Sequence, residues 1–94
     1  MDHFQNVGIV DLYRSMGLEH NLVLDFLINT TEKHYRGSSI SELYGTAIES
    51  GLQISREGVE RVVNELEQCD FVYRCRDCEM VSARPEGMLY SRRN

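Results

Sequence analysis

Apolar residues recur at helical spacing in four successive stretches of the chain before Asp70. The stretches are marked by Ile9, Leu12, Tyr13 and Met16, by the run 22–28, by Ile40, Leu43, Tyr44, Ala47 and Ile48, and by Val59, Val62, Val63 and Leu66. Positions i, i+3, i+4 and i+7 share one face of a helix, so each stretch predicts an amphipathic or buried helix. The valine-rich stretch has the clearest period and predicts a helix over 55–69.

Capping residues indicate where these helices begin and end. Asn21 is a good N-cap for the second helix, and Ser55 is one for the fourth. Ser39, followed three residues later by Glu42, forms a capping-box signature before the third. Gly17 stands where a left-handed residue would cap the C-terminus of the first helix.

The segments between and after these helices are expected to be turns and strands. Residues 30–37 are polar and predict a connection, and Gly51 predicts the end of the third helix. Beyond Asp70 the pattern alternates, which predicts a two-stranded hairpin over 71–84, followed by a tail over 85–94 that docks as a short helical turn. The predicted core consists of Val59, Val62, Val63, Leu66, Leu43, Tyr44, Ile48, Phe26 and Leu27.

Size and composition fit one globular domain. The chain has 94 residues, of which 41% are hydrophobic and 27% charged. We therefore expect a single α+β, mostly helical domain over 1–94. Its parts are an N-terminal helix in 1–17, a helical core in 21–70, the hairpin in 71–84 and the tail in 85–94.

The sequence also narrows the class of protein. No apolar run is long enough to span a membrane, and the N-terminus lacks the basic and hydrophobic regions of an export signal. Three cysteines, an odd and small number, are typical of a reducing compartment. We expect a cytoplasmic protein with no membrane partner. Because phosphate-loop, nucleophile-elbow and metalloprotease motifs are absent from the sequence, we do not expect an enzyme.

The order helix, helix, turn, helix, hairpin is that of a winged helix-turn-helix domain. Residues 41–44, 51–55, 59–67 and 71–74 resemble the stretch of that superfamily from the second helix through the recognition helix to the first wing strand. Residues 83–90 are similar to the segment after the wing in MarR-type repressors. The lengthened second helix is similar to that of archaeal origin-binding initiators. The resemblance implies a winged helix with an additional N-terminal helix and a two-stranded C-terminal wing.

In this arrangement the fourth helix would read duplex DNA, and the protein would regulate transcription. Its outer face presents Arg61 and Asn64, which are good base readers, and the hairpin supplies arginines for the phosphates. The predicted DNA contacts are Ser41, Ser55, Arg56, Arg61, Asn64, Arg74, Arg76 and Arg84.

The charge distribution keeps a second hypothesis open. The net charge is −5, although residues 71–94 carry +2, and Glu57, Glu60, Glu65 and Glu67 lie on or beside the reading face. Carboxylates repel phosphates, so the alternative is a protein-interaction module whose acidic face binds a basic partner without touching DNA.

Cys75 and Cys78 form a Cys-x-x-Cys motif at the predicted hairpin tip. Such a pair supplies half of a tetrahedral zinc site, which a second chain could complete, or a dithiol that oxidises. It is also compatible with two half-buried cysteines that flank a turn. No cofactor is predicted apart from this possible zinc ion.

A homodimer is the expected oligomer. The stripe Ile9, Leu12, Tyr13 and Met16 precedes the three helices that the core of a winged helix requires. It would either fold back onto its own domain or pair with its symmetry mate, and pairing is favoured because two recognition helices match half-sites one DNA turn apart.

Overall fold

The computed structural model describes residues 16–34 and 36–93 of the chain. Within these residues the structure is α+β and mostly helical. Its elements are α1 (Leu18–His34), α2 (Ile40–Glu49), α3 (Arg56–Gln68), β1 (Val72–Arg74), β2 (Val81–Ala83) and α4 (Pro85–Arg93). The helix predicted in 1–17 lies outside the described residues except for its last two positions.

Helix α1 is longer at both ends than the sequence pattern predicts. Gly17 was predicted to end the preceding helix, but it begins α1 instead: its carbonyl accepts the first helical hydrogen bond, from the Asn21 N–H. The backbone N–H of Gly17 donates to His20 Nδ1, so His20 reaches back like the third residue of a capping box. The φ of Gly17 lies outside the left-handed region, so Gly17 is not a left-handed C-cap.

The predicted connection 30–37 is also wrong over its first half. Helix α1 continues to His34 because its polar end packs against the hairpin: Thr30 is buried, and Thr31 Oγ1 accepts a hydrogen bond of 3.1 Å from the Ala83 N–H. These contacts connect α1 to β2 across a long sequence separation, which periodicity alone does not indicate.

Helices α2 and α3 begin where their caps predict. Ser39 and Glu42 form both hydrogen bonds of the capping box, and Ser55 Oγ accepts from the Gly58 N–H at 3.0 Å. Gly51, between the helices, has φ of 87°, a conformation that glycine adopts at little cost. Helix α3 is followed by its C-cap, Cys69, and then by a left-handed residue, Asp70, with φ of 61°.

The core prediction is largely confirmed. The α3 stripe is fully buried against α1, α2 and the hairpin, and Leu43 and Leu27 are buried with it. Phe26 and Tyr44 pack against the core while remaining partly buried. Ile48 was predicted in the core but is 46% exposed, because the buried stripe of α2 runs through Ile40, Leu43 and Ala47 and leaves position 48 on its flank.

The hairpin forms as predicted and gains a third short segment. β1 and β2 are antiparallel, with Tyr73 opposite Ser82. Ser38 forms an isolated antiparallel bridge to Val81 through two backbone hydrogen bonds of 2.8 Å. Because Ser38 precedes Ser39, the N-cap of α2, this bridge connects the hairpin to the start of α2.

The predicted tail is a nine-residue helix, α4, which packs on α1. A Cβ atom at Gly87 would collide with the Phe71 carbonyl, so only glycine permits this approach of helix to backbone. The rings of Phe71 and Tyr90 stack with centroids 4.6 Å apart. A short helical turn was predicted here, and the stacking extends it to Arg93.

Among the helices of the described residues, none combines the length and the apolar character needed to cross a bilayer.

Candidate nucleic-acid interface

The outer face of α3 and the hairpin border one open polar groove. The groove has a volume of about 500 Å³ and is lined by Asn64, Glu67, Gln68, Arg74 and Arg76. It forms because the valine stripe turns the opposite face of α3 toward solvent while β1 packs beside the helix. Three of the predicted DNA contacts, Asn64, Arg74 and Arg76, are therefore brought together.

Arg74 is the most tightly held cation of the groove. Its guanidinium donates to Asn64 Oδ1 at 3.1 Å and to Glu60 Oε1 at 3.3 Å, and its side chain is only 13% exposed. The bond to Asn64 holds the amide by its oxygen, so Arg74 does not occupy the amide NH₂ group. Arg74 therefore orients a neighbouring side chain rather than extending freely into solvent.

Arg76 in the groove and Arg61 outside it pair with glutamates at the surface. Arg76 contacts Glu67 at 3.3 Å, and Arg61 lies 3.7 Å from Glu65 and 3.8 Å from Glu19. The guanidinium side chains are 70% and 60% exposed, so each pair contributes only about 0–1 kcal/mol. The cations can exchange partners at low cost, and the surface is close to electroneutral.

The N-terminal ends of α2 and α3 carry the remaining predicted contacts. Ser41 is exposed in the first turn of α2, but the N-cap is Ser39. Ser55 caps α3, so its oxygen is already an acceptor while the hydroxyl hydrogen can still donate. Arg56 is exposed and has no ion-pair partner among the residues that the structure describes.

Arg84 lies apart from this groove. Its guanidinium carbon is 5.6 Å from the centre of the Tyr73 ring, within the range of a cation–π interaction. Its Nε is buried without a hydrogen-bond partner in the described part of the chain. The Arg84 side chain is therefore half-buried and packs against Tyr73 of β1.

A buried histidine, for which the sequence predicts no role, forms a hydrogen bond to α3. His20 is 5% exposed, and its Nε2 lies 2.7 Å from Glu65 Oε1. Because Nδ1 accepts the Gly17 N–H, the neutral ring carries its hydrogen on Nε2 and donates it to Glu65. Glu65 is one of the carboxylates expected to repel DNA phosphates, and it also accepts a hydrogen bond within the fold. The pair is separated by 45 positions, so no local sequence signal predicts it.

Cys75 and Cys78 lie at the tip of the hairpin as predicted. Cys78 is exposed and Cys75 half-buried, whereas Cys69 is buried. The described residues contain no group of three or more histidine, cysteine, aspartate or glutamate side chains that could hold a metal ion. Within the described residues the hairpin tip therefore offers two thiols, half of the ligands of a tetrahedral zinc site.

The predicted dimerisation stripe is described at one position only. Met16 is partly buried and packs against the core of its own chain. Ile9, Leu12 and Tyr13 lie outside the described residues.

Comparison with protein-family models, curated proteins and solved structures gives no match to this chain.

Proposed function

We propose that this chain is a winged helix-turn-helix protein that binds duplex DNA with α3 and the hairpin. In this proposal it is a cytoplasmic transcriptional regulator that acts as a homodimer. The observation that carries the proposal is the groove in which the outer face of α3 meets the arginines of the hairpin. The bridge between Ser38 and Val81 supports it, because it braces the hairpin against the start of α2.

The near-neutral surface determines what kind of DNA binding to expect. Non-specific affinity comes mainly from phosphate neutralisation, and here Glu60 and Glu67 offset Arg74 and Arg76. Weak non-specific binding with a shallow salt dependence follows. Specific affinity must then come from base contacts, for which Asn64, held by Arg74, is suitably placed.

The proposal is tested by selecting duplexes from a random pool at low salt and titrating a selected duplex by fluorescence anisotropy. Asn64→Ala should weaken binding to the selected duplex by roughly tenfold to a hundredfold, because a good bidentate base contact is worth about 1–3 kcal/mol. Arg76→Ala should weaken all duplexes equally and reduce the salt slope by about one. Lys33→Ala removes the same charge from the exposed end of α1 and serves as the control.

Two further outcomes decide the proposal. Selected sequences with inverted repeats one helical turn apart indicate the homodimer, and sedimentation of the protein alone at tens of micromolar tests it independently. Recovery of no duplex at low salt contradicts DNA binding.

A second candidate function is a protein-interaction module for a basic partner. One observation favours it: Glu57 is exposed on the outer side of α3 and has no ion-pair partner in the described part of the chain. A labelled lysine- and arginine-rich peptide should then bind, and Glu57→Gln should weaken the binding. Peptide binding without DNA binding would replace the first proposal with this one.

A further inference from the structure

The hairpin tip brings two thiols together in one short turn. The Cys75 N–H donates to the Met80 carbonyl at 2.8 Å, which closes the antiparallel ladder just before the turn. The chain then turns through 76–78 and reverses at Glu79, a non-glycine residue in the left-handed region with φ of 57°. Cys78 is thereby directed back toward Cys75.

The contact between the two cysteines is direct. The Cys78 N–H donates to Cys75 Sγ at 3.4 Å. Cys78 is exposed and Cys75 half-buried, so a small molecule can reach the pair from solvent. A Cys-x-x-Cys pair in hydrogen-bond contact has both the proximity and the access that thiol–disulfide exchange requires.

The hydrogen bonds make the two thiols chemically unequal. The hydrogen bonds from the Cys78 side chain and backbone lower the pKa of Cys75, because they stabilise its thiolate. The same thiol contact raises the pKa of Cys78, which is the donor. Cys75 is therefore the better attacking group at neutral pH, and Cys78 keeps its proton until a later step.

We propose that Cys75 and Cys78 form a dithiol redox site that is oxidised by small-molecule disulfides. The Cys75 thiolate attacks one sulfur of the disulfide RS–SR, which forms a mixed disulfide and releases RS⁻. Cys78 then loses its proton to solvent, and its sulfur attacks Cys75 and displaces the second RS⁻. The protein dithiol is oxidised to a disulfide across the turn, and the reagent is reduced to two thiols. This site goes beyond the proposed function and does not depend on DNA binding.

A zinc site at the same cysteines is the competing assignment. Among the described residues no group adds further ligands to this pair, so a second hairpin tip would be the source of the other two. Asp77 lies within the motif and Glu79 follows it, so two tips in contact would place four carboxylates and two Arg76 guanidinium groups around four thiolates. The zinc ion and the arginines would offset only part of this negative charge, which opposes the shared site, whereas the dithiol reaction needs one chain only.

The test exposes the reduced protein to oxidised glutathione, quenches samples by alkylation and analyses them by mass spectrometry. The unaltered chain should lose two hydrogen atoms and retain no glutathione. Cys78→Ser should retain one glutathione on Cys75, because no second thiol resolves the mixed disulfide. Cys75→Ser should react more slowly than Cys78→Ser, since the thiol that remains lacks the backbone hydrogen bond that the residue 78 N–H donates to Cys75 Sγ.

Cys69 provides an internal control in the same samples. It is buried, and burial raises the pKa of its thiol, so it should stay reduced in all three proteins. Equal reaction rates at Cys75 and Cys78, or a stable glutathione adduct on the unaltered chain, would overturn the proposal. So would protection of both thiols by added Zn²⁺ at one ion per two chains, because that result assigns the pair to zinc. Far-UV circular dichroism checks that both variants fold.

Discussion

Leu66 is the position at which the packing of α3 is most directly tested. Its side chain is fully buried, in the stripe that faces the core. Leu66→Ala removes three carbon atoms from the interior, which costs about 0.8 kcal/mol each in transfer free energy. The cavity that remains adds to this cost, so we expect a total loss of about 3–5 kcal/mol.

A loss of this size is large for the whole domain. A chain of this length has a free energy of unfolding of about 5–14 kcal/mol. Leu66→Ala should therefore shift the urea midpoint, followed by far-UV circular dichroism, to much lower concentration with little change in slope. Leu66→Met conserves volume and should cost about 1.5 kcal/mol or less, which keeps the test informative if the alanine variant does not fold.

Leu89 in α4 offers the matched control. It undergoes the same chemical change in a helix, but its side chain is 53% exposed. Leu89→Ala should cost about 1 kcal/mol or less, because little buried surface and no closed cavity are involved. Equal effects of the two substitutions would refute the argument that α3 is held by its valine and leucine stripe.

Two further predictions concern the ends of the helices. Asp70→Gly should raise the free energy of unfolding by up to about 1 kcal/mol, because Asp70 has φ of 61° and glycine adopts this conformation without steric cost. Gln68→Gly, at the last position of α3, should instead cost up to about 1 kcal/mol, and a thermal midpoint that falls for both variants would be inconsistent with a left-handed cap. The Ser39 backbone N–H and the Arg36 guanidinium lower the pKa of Glu42. The ionised Glu42 side chain therefore stabilises the fold at pH values above the ordinary pKa of glutamate. This contribution is lost as the pH falls through the lowered pKa. Unfolding measured between pH 7 and pH 3, at steps of about one unit, should show a smaller acid loss for Glu42→Gln than for the unaltered chain; identical pH profiles would contradict the ionised cap.

The sequence by itself determined the elements whose signals are local. The caps Ser39 and Ser55 and the valine stripe define α2 and α3, because a cap acts over three residues and a helical face repeats within one or two turns. The alternation beyond Asp70 and the Cys-x-x-Cys spacing likewise predicted the hairpin and its thiol pair.

Only the tertiary structure decided the features that join distant parts of the chain. Helix α1 continues to His34 through its contacts with β2, and α4 forms where the Phe71 and Tyr90 rings stack. The candidate interface depends in the same way on packing. The sequence places arginines and glutamates near one another, but which cation each carboxylate neutralises depends on the angle between α3 and the hairpin. That angle is set by the shared core, and it converts an acidic helix face into the nearly neutral groove around Asn64.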